Sequence, residues 1–357
     1  MSETSRGMSR LYNMDLERVL LIFLVIVLHF NNRDMGGALN AMSGGIIPEV
    51  IIRLGQSLAI CAVDAFVISS GYFAAFKKEH AGSPADAGTV SSVPWRKALW
   101  LLAVCSFYRT VGYVLYVAWI THDFSPRVLI GYMIPNNWFV CLFVTLLLLS
   151  PYIDHVLAAG DLSKPVCILC ILFSVVPTAV SIARDLAGVD LNGLSTVTWQ
   201  GDGSGFNIGL FIFMYCLGYA LRRHRDYWDR FHPLFYLATY ILASCLTAAV
   251  SRITESIWNY SSVTVVLEAV MLTLMFTRIR IGSEHAGRVI SAVGGCSLGI
   301  FVWHTMPLMI FGLWSRFDIP SSFIAATLAM YALSFVWVFS CRTAAGLIRR
   351  RIRPADR

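Results

Sequence analysis

Two side chains placed where charge is costly open the case for chemistry. Arg18 and His29 lie in the first long apolar run of the chain. They are eleven residues apart, which at 100° per residue is three turns plus about 20°, so on a helix both point the same way, about 16 Å apart. Asp15 precedes Arg18 by three residues and can pair with it. The face reads Arg18, Ile22, Val25, His29. The plain alternative is that Arg18 snorkels to lipid headgroups and His29 only ends the helix. The alignment of the pair favours a site. Histidine is the side chain best suited to moving protons near neutral pH. A second one, His304, lies about as far into its own apolar run as His29 does, and predicts a histidine at similar depth. Its alternative role is to donate to a neighbouring helix backbone. Asp64, Arg109, Arg53 and Glu268 complete the polar groups inside apolar runs, and such groups are functional candidates by default.

A further set brackets these. Ser70-Gly71-Tyr72-Phe73 closes the second apolar run, where the glycine permits close backbone approach. Lys77, Lys78, Arg96 and Lys97 flank the next loop and suit a phosphate-bearing ligand, although loop topology alone would put cations there. Asn137 and Trp138 open the fourth run. Trp138 is either an aromatic-belt residue or a platform on which a sugar could stack. The nine cysteines form no disulfide framework and no CxxC pattern. Cys167 and Cys170, one turn apart, read as small apolar packing residues, and no metal site is expected.

The elements that must hold these groups are membrane helices. Of the 357 residues 57% are hydrophobic and 14% charged, with a mean hydropathy of +0.66. A soluble domain carries about 25% charged residues. Runs of roughly 20 apolar residues recur, each long enough to span a bilayer as a helix. Strand alternation of the membrane-barrel kind is absent. Ten spans are expected, near 15–31, 50–76, 97–120, 137–153, 165–183, 205–221, 233–251, 260–279, 289–314 and 321–345. The first is read as retained rather than as a signal peptide. With the N-terminus cytoplasmic, the inside segments hold 20 of the 28 Lys and Arg residues and the outside segments 5. That bias predicts both termini inside. It also explains the net charge of +7 without nucleic acid as a partner. The expectation is an all-α integral membrane protein: a cytoplasmic segment 1–14, one ten-helix membrane domain 15–345 and a basic cytoplasmic tail 346–357. The loops 79–95 and 185–204 are too short for further domains.

The sequence resembles the acyltransferase-3 family of bacterial membrane acyltransferases. Its first-helix hallmark is an arginine, ten residues and a histidine, which Arg18 and His29 fit. Ala62-Val-Asp64-Ala-Phe66 leading to Ser70-Gly71-Tyr72-Phe73 resembles the family's second-helix motif. Asn137-Trp138-Phe139 running to Ser150-Pro151, then Gly218-Tyr219, then Ser297-Leu298-Gly299-Ile300-Phe301-Val302-Trp303-His304 resemble three further motifs in order. The family often carries Arg-x-x-Arg at the start of its third helix, where this chain has Arg96-Lys97-Ala98-Leu99. The tail after His304 is most similar to members linked to surface-polysaccharide O-acetylation.

The resemblance implies a multi-pass enzyme of a bacterial cell membrane. Its donor would be acyl-CoA, acetyl-CoA foremost, as a co-substrate on the cytoplasmic side. Its acceptor would be a hydroxyl of a cell-surface or lipid-linked glycan. His29 would then be the base or acyl carrier, and Arg18 would handle the donor. Asp15, Asp64, His304 and Arg109 would be supporting polar groups. Ser70, Gly71, Tyr72, Arg96 and Lys97 would bind the donor, and Asn137 and Trp138 the acceptor. The rival from another class is a proton-coupled transporter or flippase of a sugar-lipid or small solute, which intramembrane Arg, Asp and His also suit.

Overall fold

The computed structural model describes residues 12–33, 35–40, 45–80, 91–188, 205, 207–307 and 323–352. Every regular element among them is helical. Most of the loops 79–95 and 185–204 lie outside the described residues, as do 1–11 and 353–357 of the terminal segments.

Helix α1 (Tyr12–Asn31) runs through the centre, with Leu21 and Ile26 wholly buried. The expected second span is a broken helix, α2 (Ile46–Ile60) and α3 (Ala62–His80). At the break, the Tyr240 hydroxyl donates to the Leu58 carbonyl at 2.5 Å, and a side chain inserted into the ladder is a known cause of such interruptions. Helix α4 (Trp95–Tyr116) continues as a π turn (Val117–Thr121), followed by the short α5 (Pro126–Met133) and then α6 (Trp138–Ala159). The next span is α7 (Ser163–Cys170) and α8 (Val176–Ala187), joined by a π turn. Then come α9 (Ile208–Arg223), the single turn α10 (Arg225–Trp228), α11 (Pro233–Val250) and α12 (Val263–Arg278). The ninth span is also broken, into α13 (Glu284–Gly294) and α14 (Ser297–Trp303), with Gly295-Cys296 between them. Its expected end, 308–314, lies outside the described residues. Helix α15 (Phe323–Ile352) continues without interruption into the basic tail.

Among the described residues, eight helices are long and apolar enough to cross a membrane. Two of the ten expected spans are not among them. Helix α9 has only 16 residues, about 24 Å. Helix α1 carries Asp15, Glu17 and Arg18 within its first turns. Helices α6, α8, α11 and α15 expose Tyr152, Val156, Leu186, Leu242, Leu246 and Val336. Such surfaces suit lipid, and a water-facing patch of this kind would invite aggregation. Side-chain caps set several helix starts: the Asn137 Oδ1 accepts from Val140 N at 3.0 Å, and the Asn207 Oδ1 from Leu210 N at 2.9 Å.

The tightest seam joins α3 to α9. A Cβ on Gly71 would sit 2.0 Å from the Tyr215 carbonyl oxygen, and one on Gly218 would sit 1.9 Å from that of Ile68. Each backbone thus fills the notch left by the other's missing side chain.

Candidate active site

The two ends of the α1 polar face are built differently. At its start, Arg18 Nη1 donates to Asp15 Oδ1 at 3.0 Å, and the Ser291 hydroxyl of α13 donates to Asp15 Oδ2 at 2.5 Å. The Arg18 guanidinium lies 5.0 Å from the centre of the Phe73 ring of α3. Asp15 is therefore a buried tether, while the Arg18 side chain keeps 39% of its surface open. That open side faces a cavity of about 1030 Å³.

The cavity is cationic and polar at one end and apolar at the other. Arg18, Lys77, Lys78 and Lys97 surround the charged end, with Ser70, Ser91, Ser150, Asp154 and Tyr215. Lys78 Nζ donates to the Asp154 carbonyl at 2.7 Å, and the Tyr215 hydroxyl to Asp154 Oδ1 at 2.8 Å. Lys77 and Lys97 carry no ion pair among the described residues. Further in, the walls are Ile22, Phe66, Leu101, Phe143, Leu146 and Leu298, and the cavity stops at Phe139 and Phe301.

Just beyond that stop the two histidines meet. Their ring centroids are 4.5 Å apart, and His304 Nε2 lies 3.0 Å from His29 Nδ1. Backbone carbonyls decide which nitrogens carry protons. His304 Nδ1 faces the carbonyls of Phe301 at 2.8 Å and Ile300 at 3.2 Å, so a proton there donates and a lone pair there would be repelled. His304 Nε2 is then an acceptor. His29 Nδ1 faces the Val25 carbonyl at 2.9 Å as well as His304 Nε2, and both call for a proton on Nδ1. His29 is left with a bare Nε2, the nitrogen that can take a proton or an acyl group. His304 is 2% exposed and His29 is half-buried, so the second ring is the support and the first is the reachable one.

The expected donor group divides. Ser70 and Lys97 line the cavity. Arg96 is exposed and off it. Gly71 is spent on the α3–α9 seam. The Tyr72 hydroxyl accepts from Arg222 Nη1 at 3.3 Å, and that arginine also binds Glu79 at 2.6 Å, so Tyr72 sits in a structural ion-pair cluster. Asp64 is buried near Glu268, with Oδ2 unpartnered among the described residues, and it does not line the cavity. Arg109 lies 5.2 Å from the Tyr132 ring centre, also away from it. Asn137 caps α6. Trp138 is 37% exposed and packs edge-on against Phe211 at 6.4 Å, one residue from the end of the cavity. Arg53 bonds Glu49 and the Ser251 carbonyl, a bracing role.

Sequence reasoning missed Asp154 and Tyr215. Asp154 falls one residue past the expected end of its span, so it looked like a loop charge. Glu17, near the start of α1, is wholly buried and accepts from the Ser69 hydroxyl at 2.7 Å.

The family model for the acyltransferase domain matches residues 11–342. The chain belongs to the acyltransferase-3 family. No curated protein and no solved structure matches it. The matched span takes in Arg18, His29 and His304 together with every helix that lines the cavity. As an acyltransferase-3 member the chain is a multi-pass membrane acyltransferase.

Proposed function

We propose that this enzyme moves an acyl group, acetyl foremost, from cytoplasmic acyl-CoA to a hydroxyl of a cell-surface or lipid-linked glycan. The observation that carries this reading is a cationic cavity and an ordered histidine pair set along one face of α1, with the Phe139–Phe301 contact between them. Ten spans with both termini cytoplasmic complete it, because the charge bias puts the lysine-rich mouth where CoA is made. The cell membrane is the site of action.

Lys77, Lys97 and the open side of Arg18 bind the CoA phosphates by charge-assisted hydrogen bonds. The apolar depth of the cavity takes the pantetheine arm and leads the thioester toward His29. His29 Nε2 removes the proton from the acceptor hydroxyl as its oxygen attacks the thioester carbonyl. The resulting imidazolium keeps its Nδ1 proton between two acceptors, the Val25 carbonyl and His304 Nε2, which stabilises the charge as it forms. The C–S bond then breaks and the Nε2 proton passes to the departing thiolate. Transfer through an acyl-His29 intermediate uses the same nitrogen. Trp138, beside the far end of the cavity, is the ring on which an acceptor sugar stacks.

The test is transfer of isotope-labelled acetyl from acetyl-CoA by the purified protein in lipid nanodiscs, with membrane glycolipids as acceptors and mass spectrometry as readout. Labelled glycan that disappears with His29→Ala supports the reading. Absence of labelled glycan with the unmodified protein, or full labelling by the variant, overturns it.

A further inference from the structure

The cavity and the histidine pair do not connect. Along α1 the lining ends at Ile22, two turns or about 10 Å short of His29. Along α14 it ends at Phe301, and along α6 at Phe139. The Phe139 and Phe301 ring centroids are 4.9 Å apart, and the residues are 8% and 7% exposed. Phe139 is wedged further by Phe66 at 6.2 Å, Phe143 at 5.7 Å and Phe211 at 5.9 Å. The Phe301 ring is 6.2 Å from that of His304. An aromatic floor thus separates a charged, open cavity from the nitrogen that would activate a hydroxyl.

Water is the acceptor that such an enzyme must refuse. It is abundant in any cavity ringed by exposed lysines, and it is a hydroxyl like the one on a sugar. A base that removes a proton from one removes it from the other. Discrimination then depends on which oxygen reaches His29 while a thioester is present. Binding energy alone discriminates poorly here, because water is smaller than any sugar and fits wherever a sugar hydroxyl fits.

We infer that Phe139 and Phe301 are specificity-determining residues that reserve His29 for the glycan hydroxyl and keep water from the thioester. The inference rests on the function proposed above. With no donor bound the two rings close the cavity. When acyl-CoA enters, its arm displaces the rings and fills the gap itself, so no column of water follows it to His29. Helix α14 is suited to that displacement: it is seven residues long and separated from α13 at Gly295-Cys296, and it carries Phe301 one turn before His304, the residue at its C-terminal cap. The side reaction held back is hydrolysis. In it the oxygen of water bonds to the thioester carbon, the C–S bond breaks, and the proton taken by His29 Nε2 goes to the thiolate, which gives free acid and CoA.

The test measures thiol release from acetyl-CoA in nanodiscs without any acceptor, beside transfer with the acceptor present. Phe301→Ala should raise acceptor-free thiol release roughly tenfold or more over the unmodified protein, lower the ratio of transfer to hydrolysis, and lose the gain when combined with His29→Ala. Phe301→Leu and Phe139→Leu, which keep most of the packing volume, should show the same change at smaller size, and serve where the alanine variant does not fold. Folded variants whose acceptor-free thiol release equals that of the unmodified protein would overturn the inference. So would a gain that survives His29→Ala. Failure of the underlying function reads differently, because it shows in the unmodified protein as absence of any transfer.

Discussion

Helix α1 has two polar faces, and the bundle answers them in opposite ways. One face holds Arg18 and His29, the other Glu17 and Asn31. Glu17 and Asn31 are wholly buried and reach into neighbouring helices: Glu17 to Ser69 on α3 at 2.7 Å, Asn31 to Gln56 on α2 at 3.1 Å. Arg18 and His29 keep exposed surface and spare hydrogen-bonding capacity, and both lie along the line of the cavity. Buried polar groups bonded to other helices fix how helices sit. Polar groups left partly open have capacity to spend on a ligand. Polarity inside a membrane therefore marks importance without saying of which kind, and exposure separates the two, because the buried Glu17 Oε1 and Asn31 Oδ1 also keep unused valences among the described residues.

That contrast can be broken from either side. His29→Ala should lower acyl transfer by about 10²–10⁴-fold with no fall in the thermal midpoint of the detergent-solubilised protein. An equal fall in both would move His29 to the structural face. His304→Gln should cost less, about 10–100-fold in kcat, because the ring it supports remains in place while its tautomer is less strictly set. The kcat loss should come with little change in KM, and a pure KM effect would count against a supporting role. Glu17→Ala should do the reverse of His29→Ala. It should lower unfolding stability by about 1–3 kcal/mol, followed by thermal melting, with transfer per folded molecule nearly unchanged. Loss of transfer at full stability would put Glu17 in the reaction. The smallest effect is expected at the mouth, where Lys97 is exposed: Lys97→Ala should raise the KM for acyl-CoA about two- to fivefold, and the difference from the unmodified protein should shrink at high salt.

The sequence revealed the site where periodicity alone governs it, and hid it where tertiary neighbours do. Arg18 and His29 share a face because of the helical repeat, which needs no partner to compute. The depth of His304 followed from counting along its run, but its contact with His29 depends on α14 packing beside α1, which no spacing encodes. Gly71 shows the limit most clearly. A glycine near cations reads equally well as a ligand contact or as a close approach, and only the Tyr215 backbone beside it decides. The break at Cys61 carries no proline or glycine of its own, whereas Gly295 does mark the break before α14. Asp154 was missed because a span end uncertain by one residue decides whether a carboxylate counts as loop or as wall.

The glycine seam between α3 and α9 carries one more consequence. Gly71 and Gly218 bring two backbones into direct contact, and a contact of that kind has no side chain left to compress. Ser69, Ser70 and Phe73 on one side and Tyr215 on the other are thereby held at a distance fixed by covalent geometry. This wall of the cavity acts as the fixed jaw of a caliper. Whatever widening a substrate demands must come from the other walls, among them α4 and the short α14, where glycines meet side chains that can turn, Gly112 against Met306 and Gly299 against Val338.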